Sequence, residues 1–485
     1  MKKTMRVLVA SLCLVNTLCG NALACTGILV GKDVSADGSR LMGRTEDISA
    51  AYNKNFIAVP ATDNPDEVTF VDEVNGFTLA LPGTACAYTM TPDVPEHEDG
   101  LYASGCMNEY GVAISATISC GLSEAAMAAD PPVENGLREA SLPTVIIPYV
   151  KTAREAVLRL GGIVETLGSE AGNTVFIGDA QETWYMELLS GHQWAAVKVP
   201  DDVYAVVPNC FMLGAIDLAD SENVLASPAV LSMPEEKAFL QTWNGQPHLA
   251  LTYGAPLADG NRVRAWGGRH FFSPSAAVAY ESDVFELFMK PDEKISLQDA
   301  MALMRYRYED TAYDANLNPD IRAIGTERTC EAHIYQFIDG VPTLQWQAMG
   351  NPEHSVFLPA FAGLSETPAA YQVPGTAYRP DAAYWTFRAP AALAELDRVN
   401  YGAGVRAYWA AYEAKLIAAQ DGINAQMAAL TDPAAASAFA NAQFAAISAD
   451  AMARADQLYA DLVYTIAHRA GAAAMRAPFA PAFED

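Results

Sequence analysis

Cys25 stands immediately after Ala22-Leu23-Ala24 and opens the run CTGILVGK. Lys2, Lys3 and Arg6 precede it as a basic patch, followed by an apolar run from Val7 to Leu18. Charged start, apolar middle and A-x-A exit are the layout of an export signal cut just before the cysteine. That cut leaves a thiol and a free α-amine on one residue. A thiol with a pKa of about 8.5 is only a few per cent thiolate at pH 7. An α-amine titrating at about 7.7–8.0 can serve as its base. One residue then carries nucleophile and base, as a threonine paired with its own N-terminal amine does. The amine needs an orienting carboxylate, and the thiolate a nearby cation. Both types arrive in GRTED, residues 43–47: Arg44 for the sulfur and Asp47 for the amine.

These groups must be positioned by a hairpin. Residues 26–32 read as a strand, 33–39 (DVSADGS) as a turn around Asp37-Gly38, and 40–44 as the returning strand. A turn centred near residue 36 sets Asp47 roughly opposite Cys25. A three-residue offset in a straight strand sends Arg44 and Asp47 to opposite faces, so a bend or bulge near Thr45 is expected. Further apolar runs follow at 56–59, 77–81 and 111–118. The spacing of Ala153, Ala156, Val157, Leu160, Ile163, Val164 and Leu167 predicts a helix within 145–167. Strands are predicted at 174–178, 183–189, 194–199, 203–207, 333–338 and 343–347. Another helix starts at Ser296, with Asp299 as its capping partner. From about residue 380 the chain turns Ala-rich with helical spacing, giving two or three helices. Strands, helix, strands and helices in this order predict helix-covered sheets of the α+β class. The chain divides into an export signal (1–24), a catalytic domain (25–375) and a helical C-terminal region (376–485).

The chain of 485 residues carries 30 Lys and Arg against 58 Asp and Glu. Loss of Lys2, Lys3 and Arg6 leaves 27 against 58, a net charge of −31. So acidic a surface argues against nucleic acid and anionic membranes as partners, and an anionic substrate group must meet a local cluster of arginines. The leader's apolar run is shorter than the roughly 20 residues a bilayer demands, and no integral membrane segment is expected. Of the 8 cysteines, Cys13 and Cys19 lie in the leader, and C-x-x-C is absent. With Cys25 free, the remaining five allow at most two bridges. G-x-S-x-G, H-E-x-x-H and G-x-G-x-x-G are also absent, and no two histidines sit at ligand-like helical spacing. No metal or organic cofactor is called for.

The residues around Cys25 resemble the N-terminus of the C69 peptidases, cysteine dipeptidases of the N-terminal-nucleophile (Ntn) hydrolase superfamily. Cys25, TGILVGK, DGS and RTED carry the likeness. It continues in order through SGCMNEYGVAISAT (104–117), WYMELLSGHQW (184–194), VPNCFMLGAID (207–217), NRVRAW (261–266), TCEAHIYQ (329–336), MGNPEHSVFLP (349–359) and AYWTFR (383–388). The resemblance implies a four-layer αββα sandwich with the nucleophile at the head of a central strand. It also implies cleavage of dipeptides with broad specificity, and the leader adds the expectation of export to the periplasm or the medium, with small peptides as partners. By that comparison Cys25 attacks, Arg44 stabilises its thiolate and Asp47 binds its amine. Asn209 is the oxyanion donor and Arg262 the later site arginine, with Arg264 its rival. Where related amidases carry a further oxyanion Asn, this chain has Ile118. The substrate's own amine calls for a carboxylate, and Glu46, Asp217 and Glu331 are the candidates. Two other readings are a related amidase of the N-acyl amino acid, penicillin V or bile-salt type, and a non-catalytic lipoprotein acylated at Cys25. Lipoprotein signals favour Leu three residues before the cysteine, and here Ala22 holds that place.

Overall fold

The structure, a computed structural model, describes residues 25–97, 100–309, 311–469 and 478–483. The export signal expected over residues 1–24 lies outside them. Strands β1 (Thr26–Val30) and β2 (Arg40–Asp47) pair antiparallel, Thr26 opposite Thr45 and Gly27 opposite Arg44. The turn is tied by Asp37, whose carboxylate accepts from the hydroxyls of Ser35 and Ser39 and from the Ser39 N–H. Continued by one pair, this register sets Cys25 opposite Glu46, one residue short of the expected Asp47.

Alternation along β1 separates two cores. Ile28 and Val30 face an outer core with Met301, Trp346 and Phe387. Leu29, with Met42 of β2, faces a layer shared with Phe176, Tyr185 and Tyr335. At Gly27 the two sheets come so close that an added Cβ would fall 2.2 Å from a ring carbon of Phe176. Only glycine fits there.

The first sheet has six strands in the order 204–207, β1, β2, 329–337, 344–349 and 358–361, all antiparallel. The second has eight: 224–226, 194–198, 183–188, 172–178, 113–120, 103–108, 88–92 and 57–59. Their inner faces enclose the layer around Leu29 and Phe176. Helix Ala153–Leu167 covers the outside of the eight-stranded sheet, packing Val157 and Leu160 against Ile177 and Trp184. The outside of the six-stranded sheet is covered by Asp259–Phe272, Leu297–Leu303 and the C-terminal helices. The result is the four-layer αββα sandwich of an α+β protein.

Two elements depart from expectation. The helix anticipated within 145–167 is broken into Leu142–Ile146, a short 3-10 turn and Ala153–Leu167. Pro148 lacks the N–H a continuous helix needs, and a capping box between Thr152 and Glu155 starts the helix afresh. The tail forms Ala383–Glu395, Ala403–Ala428 and Pro433–Arg469, and its Phe387, Trp409, Phe444 and Leu458 join the core of Trp346 and Leu358. Among the described residues no helix is long and apolar enough to cross a membrane.

Candidate active site

Cys25 heads β1 and is 5 % exposed. Its side chain and those of Arg44 and Glu46 lie on the inter-sheet face, because Gly27 and its neighbour across the hairpin do. Nη1 of Arg44 stands 3.8 Å from the Cys25 sulfur. Arg44 is wholly buried and donates through Nη2 to the Ser104 carbonyl, with Glu46 at 3.8 Å and Glu331 at 4.0 Å. Lys54, also buried, bridges Glu46 at 2.9 Å and Asp93 at 2.5 Å. Glu331 accepts from Gln347 at 2.8 Å and faces His333 Nδ1 at 3.1 Å, while His333 Nε2 meets the Ser115 hydroxyl at 2.8 Å. A cation beside sulfur is thus braced by carboxylates that are themselves paired.

The electrostatics follow from burial. Removal from water pushes the Cys25 thiol up to about 12; the Arg44 charge works against this, and Asp47 and Glu46 add to the rise. The thiol is therefore neutral at rest and needs a base at hand. Burial also works against the charge of Arg44, but Cys25, Glu46 and Glu331 outweigh it and its pKa is raised. Burial opposes ionisation of Glu331 too, yet His333, Arg44 and Lys54 bring it down to about 2.

Asp47 lies on the opposite face of β2. Its carboxylate accepts from Thr329 Oγ1 at 2.6 Å, Arg322 Nη2 at 2.5 Å and Thr45 Oγ1 at 3.2 Å, while its main-chain N–H is directed at the sulfur. The irregularity expected near Thr45 lies instead in the neighbouring strand. Thr329 pairs with Asp47 and Glu331 with Glu46, so Cys330 is the extra residue. Arg44 and Asp47 thus stay on opposite faces and both reach Cys25, one through its guanidinium and the other through its main chain.

Asn209 follows the strand Tyr204–Val207 and is half-buried. Its Nδ2 donates to the Ser119 carbonyl at 3.0 Å, and its Oδ1 accepts from Arg264 Nη1 at 3.0 Å. Arg264 also donates to the Cys25 carbonyl at 2.5 Å and to Thr26 Oγ1 at 3.1 Å, with Asn261 and Gly260 taking its other donors. Of the two arginines, the structure brings Arg264 to Cys25 and sets Arg262 on the wall of the adjoining cavity. Two residues along a helix turn a side chain by about 200°, so Arg262 points the other way, to Ser282 and Asp283. Asp217 is likewise removed from the site: it is exposed and closes its own turn on the Ala219 N–H. Glu46 and Glu331 are in the cluster but fully buried and engaged with cations, so they brace Arg44 rather than face a substrate amine. Ile118 is buried, adjoins Gly27 and offers no amide donor.

Four further residues emerge from the structure. Lys54, Thr329 and Arg322 complete the ionic frame. Glu187 gathers the Tyr185 hydroxyl at 2.5 Å and the N–H groups of Met212 at 2.5 Å and Leu213 at 3.1 Å on one oxygen, holding the loop that carries Asn209. Burial pushes its carboxyl up to about 7. The sequence signal for Glu187 was a lone acid in the apolar strand WYMEL; Arg322 had none. A cavity of about 940 Å³ begins at Cys210, the residue after Asn209, and is lined by Phe211, Met212, Leu257 and Phe285. The thiols of Cys25, Cys86, Cys106, Cys120, Cys210 and Cys330 are all unbridged.

The model of peptidase family C69 matches residues 24–411. A probable dipeptidase B of Streptococcus pyogenes serotype M1 is 39 % identical over 383 residues, covering 75 % of this chain and 77 % of its own. A probable dipeptidase of Latilactobacillus sakei is 33 % identical over 394 residues, covering 78 % and 82 %. Among solved structures, a mutant conjugated bile acid hydrolase from Clostridium perfringens covers 72 % of this chain and 95 % of its own, at 14 % identity and a TM-score of 0.30. By the extent of the family match and the identity to these relatives, the chain belongs to peptidase family C69 and is a peptidase.

Proposed function

We propose that the chain is an exported cysteine dipeptidase whose nucleophile and general base both belong to Cys25. The observation that carries this reading is the Arg44 guanidinium 3.8 Å from a buried sulfur at the head of β1. The dipeptidase names of the relatives supply the substrate class.

Removal of the leader frees the Cys25 amine, and the Asp47 carboxylate, already held by Thr329 and Arg322, is the partner proposed to orient it once it is free. The amine takes the thiol proton, and Arg44 stabilises the thiolate that forms. Sulfur attacks the scissile carbonyl. Asn209 Nδ2 carries two hydrogens; one stays on the Ser119 carbonyl and the other meets the developing oxyanion. The ammonium returns its proton to the leaving amino acid as the C–N bond breaks. Water then hydrolyses the thioester with the same amine as base, and the thiol is restored.

Intact-mass analysis of the exported protein, with a panel of dipeptides and N-acyl amino acids, tests this. A chain starting at an unmodified Cys25 that cleaves dipeptides is the expected result. A diacylglycerol adduct at Cys25, or full turnover by C25A, refutes the mechanism. Turnover of N-acyl amino acids alone reassigns the substrate to the amidase class.

A further inference from the structure

A dipeptide carries its own α-ammonium on the Cα next to the scissile carbonyl. That charge therefore lies within one residue length, ~3.5 Å, of the oxygen that Asn209 is proposed to receive. A carboxylate that holds the ammonium must stand close to Asn209 and be reachable from solvent. Glu46, Asp47, Asp93, Glu187 and Glu331 are all buried, and Asp217 closes a turn of its own.

Glu139 meets both conditions. It is half-buried, as are Ser119 and Asn209. Its Oε2 accepts from Ser119 Oγ at 2.9 Å and its Oε1 from Tyr102 Oη at 3.2 Å. Ser119 is also the residue whose carbonyl accepts from Asn209 Nδ2 at 3.0 Å. Asn209 in turn shares Nη1 of Arg264 with the Cys25 carbonyl. Glu139 is thus two hydrogen bonds from the oxyanion donor, through the hydroxyl and the carbonyl of one residue. The strands that anchor it also reach the Cys25 cluster directly. Ile118, next to Ser119, would be 2.9 Å from a Cβ added at Gly27, two residues after Cys25. Tyr102 leads into the strand 103–108, whose Ser104 carbonyl accepts at 3.4 Å from Arg44, the cation 3.8 Å from the sulfur.

We propose that Glu139 binds the N-terminal ammonium of the substrate and thereby selects peptides whose scissile carbonyl belongs to their first residue. A substrate acylated at that nitrogen, or cut further along its chain, presents a neutral amide N–H there in place of the ammonium. This inference rests on the dipeptidase reading above.

The experiment compares kcat/KM for alanyl-alanine and for propionyl-alanine, the same molecule with hydrogen in place of the ammonium, using enzyme that begins at Cys25. Wild type is expected to favour the dipeptide about 10²-fold, the worth of a hydrogen bond between charged groups. In E139Q the loss on alanyl-alanine should exceed the loss on propionyl-alanine by about tenfold or more, and E139D should fall between wild type and E139Q. Equal losses on both substrates overturn the inference, because a purely structural role through Ser119 and Asn209 slows both alike. Equal wild-type turnover of the two substrates overturns it without any variant and leaves the dipeptidase reading standing. Turnover of propionyl-alanine alone, or of neither, removes both.

Discussion

Arg264, beside Cys25, donates to neutral oxygens, whereas Arg305, where the helical tail meets the six-stranded sheet, grips Glu413 at 2.6 and 2.9 Å. The tail repeats that pattern. Glu353 accepts from Arg398 and Arg406, and Arg388 forks onto Glu395 at 3.0 and 2.9 Å. Each of these arginines meets a carboxylate supplied by the chain. At the site Arg264 instead ties Cys25, Thr26 and Asn209 together through neutral oxygens. Ion pairs at the tail fasten elements together, whereas the bonds of Arg264 fix the residues beside the sulfur.

That contrast can be broken in steps. The largest effect is expected from C25A, which removes the proposed nucleophile and should cut dipeptide turnover by about 10⁴-fold or more while circular dichroism stays native. N209A should follow, lowering kcat by about 10²–10³-fold, with KM less affected, because the donor serves charge present only in the transition state. At the tail the readout reverses. E413A leaves Arg305 without its carboxylate and should cost about 3 kcal/mol in denaturant unfolding, with kcat of the folded enzyme unchanged. A fall in kcat matching that of N209A would erase the distinction between the two regions.

The smallest effect is a pH dependence belonging to the tail. Burial holds His354 down to about 3, with Arg398, Arg406 and Arg307 pushing the same way against Glu353. A histidine whose folded pKa lies below its unfolded value contributes stability that is full above about pH 6.5. That contribution is lost as pH falls towards 3, by at most about 1.4 kcal/mol per pH unit. Thermal unfolding at pH 7 and pH 5 should show this loss in wild type and a smaller one in H354Q. Identical slopes would assign the acid sensitivity elsewhere.

The hairpin was legible because its causes are local: apolar alternation, an Asp-Gly turn and two charged residues at fixed spacing. The strands of 172–207 and the cap at Ser296 were readable for the same reason. Helix Asp259–Phe272 was not. Glycine has low helix propensity, yet a Cβ at Gly268 would lie 2.5 Å from Val206, so glycine is there for close packing rather than for a turn. Without that helix, Arg262 and Arg264 could not be told apart. The likeness to a known family supplied the pair, and only helical phase chose between them. Arg322 lay beyond reach because its partner Asp47 is 275 residues away in the chain. Asp217 was misjudged because its turn leads it out to solvent, which composition does not reveal.

Glu187 belongs to the eight-stranded sheet, whereas Asn209 follows a strand of the six-stranded one. Asn209 thus leaves the sheet that carries the sulfur, while its Nδ2 and the loop beyond it are held by Ser119 and Glu187 of the other sheet. Catalytic alignment becomes a gauge of the seam between them, so mild heat or denaturant that loosens the seam should silence turnover before the protein melts.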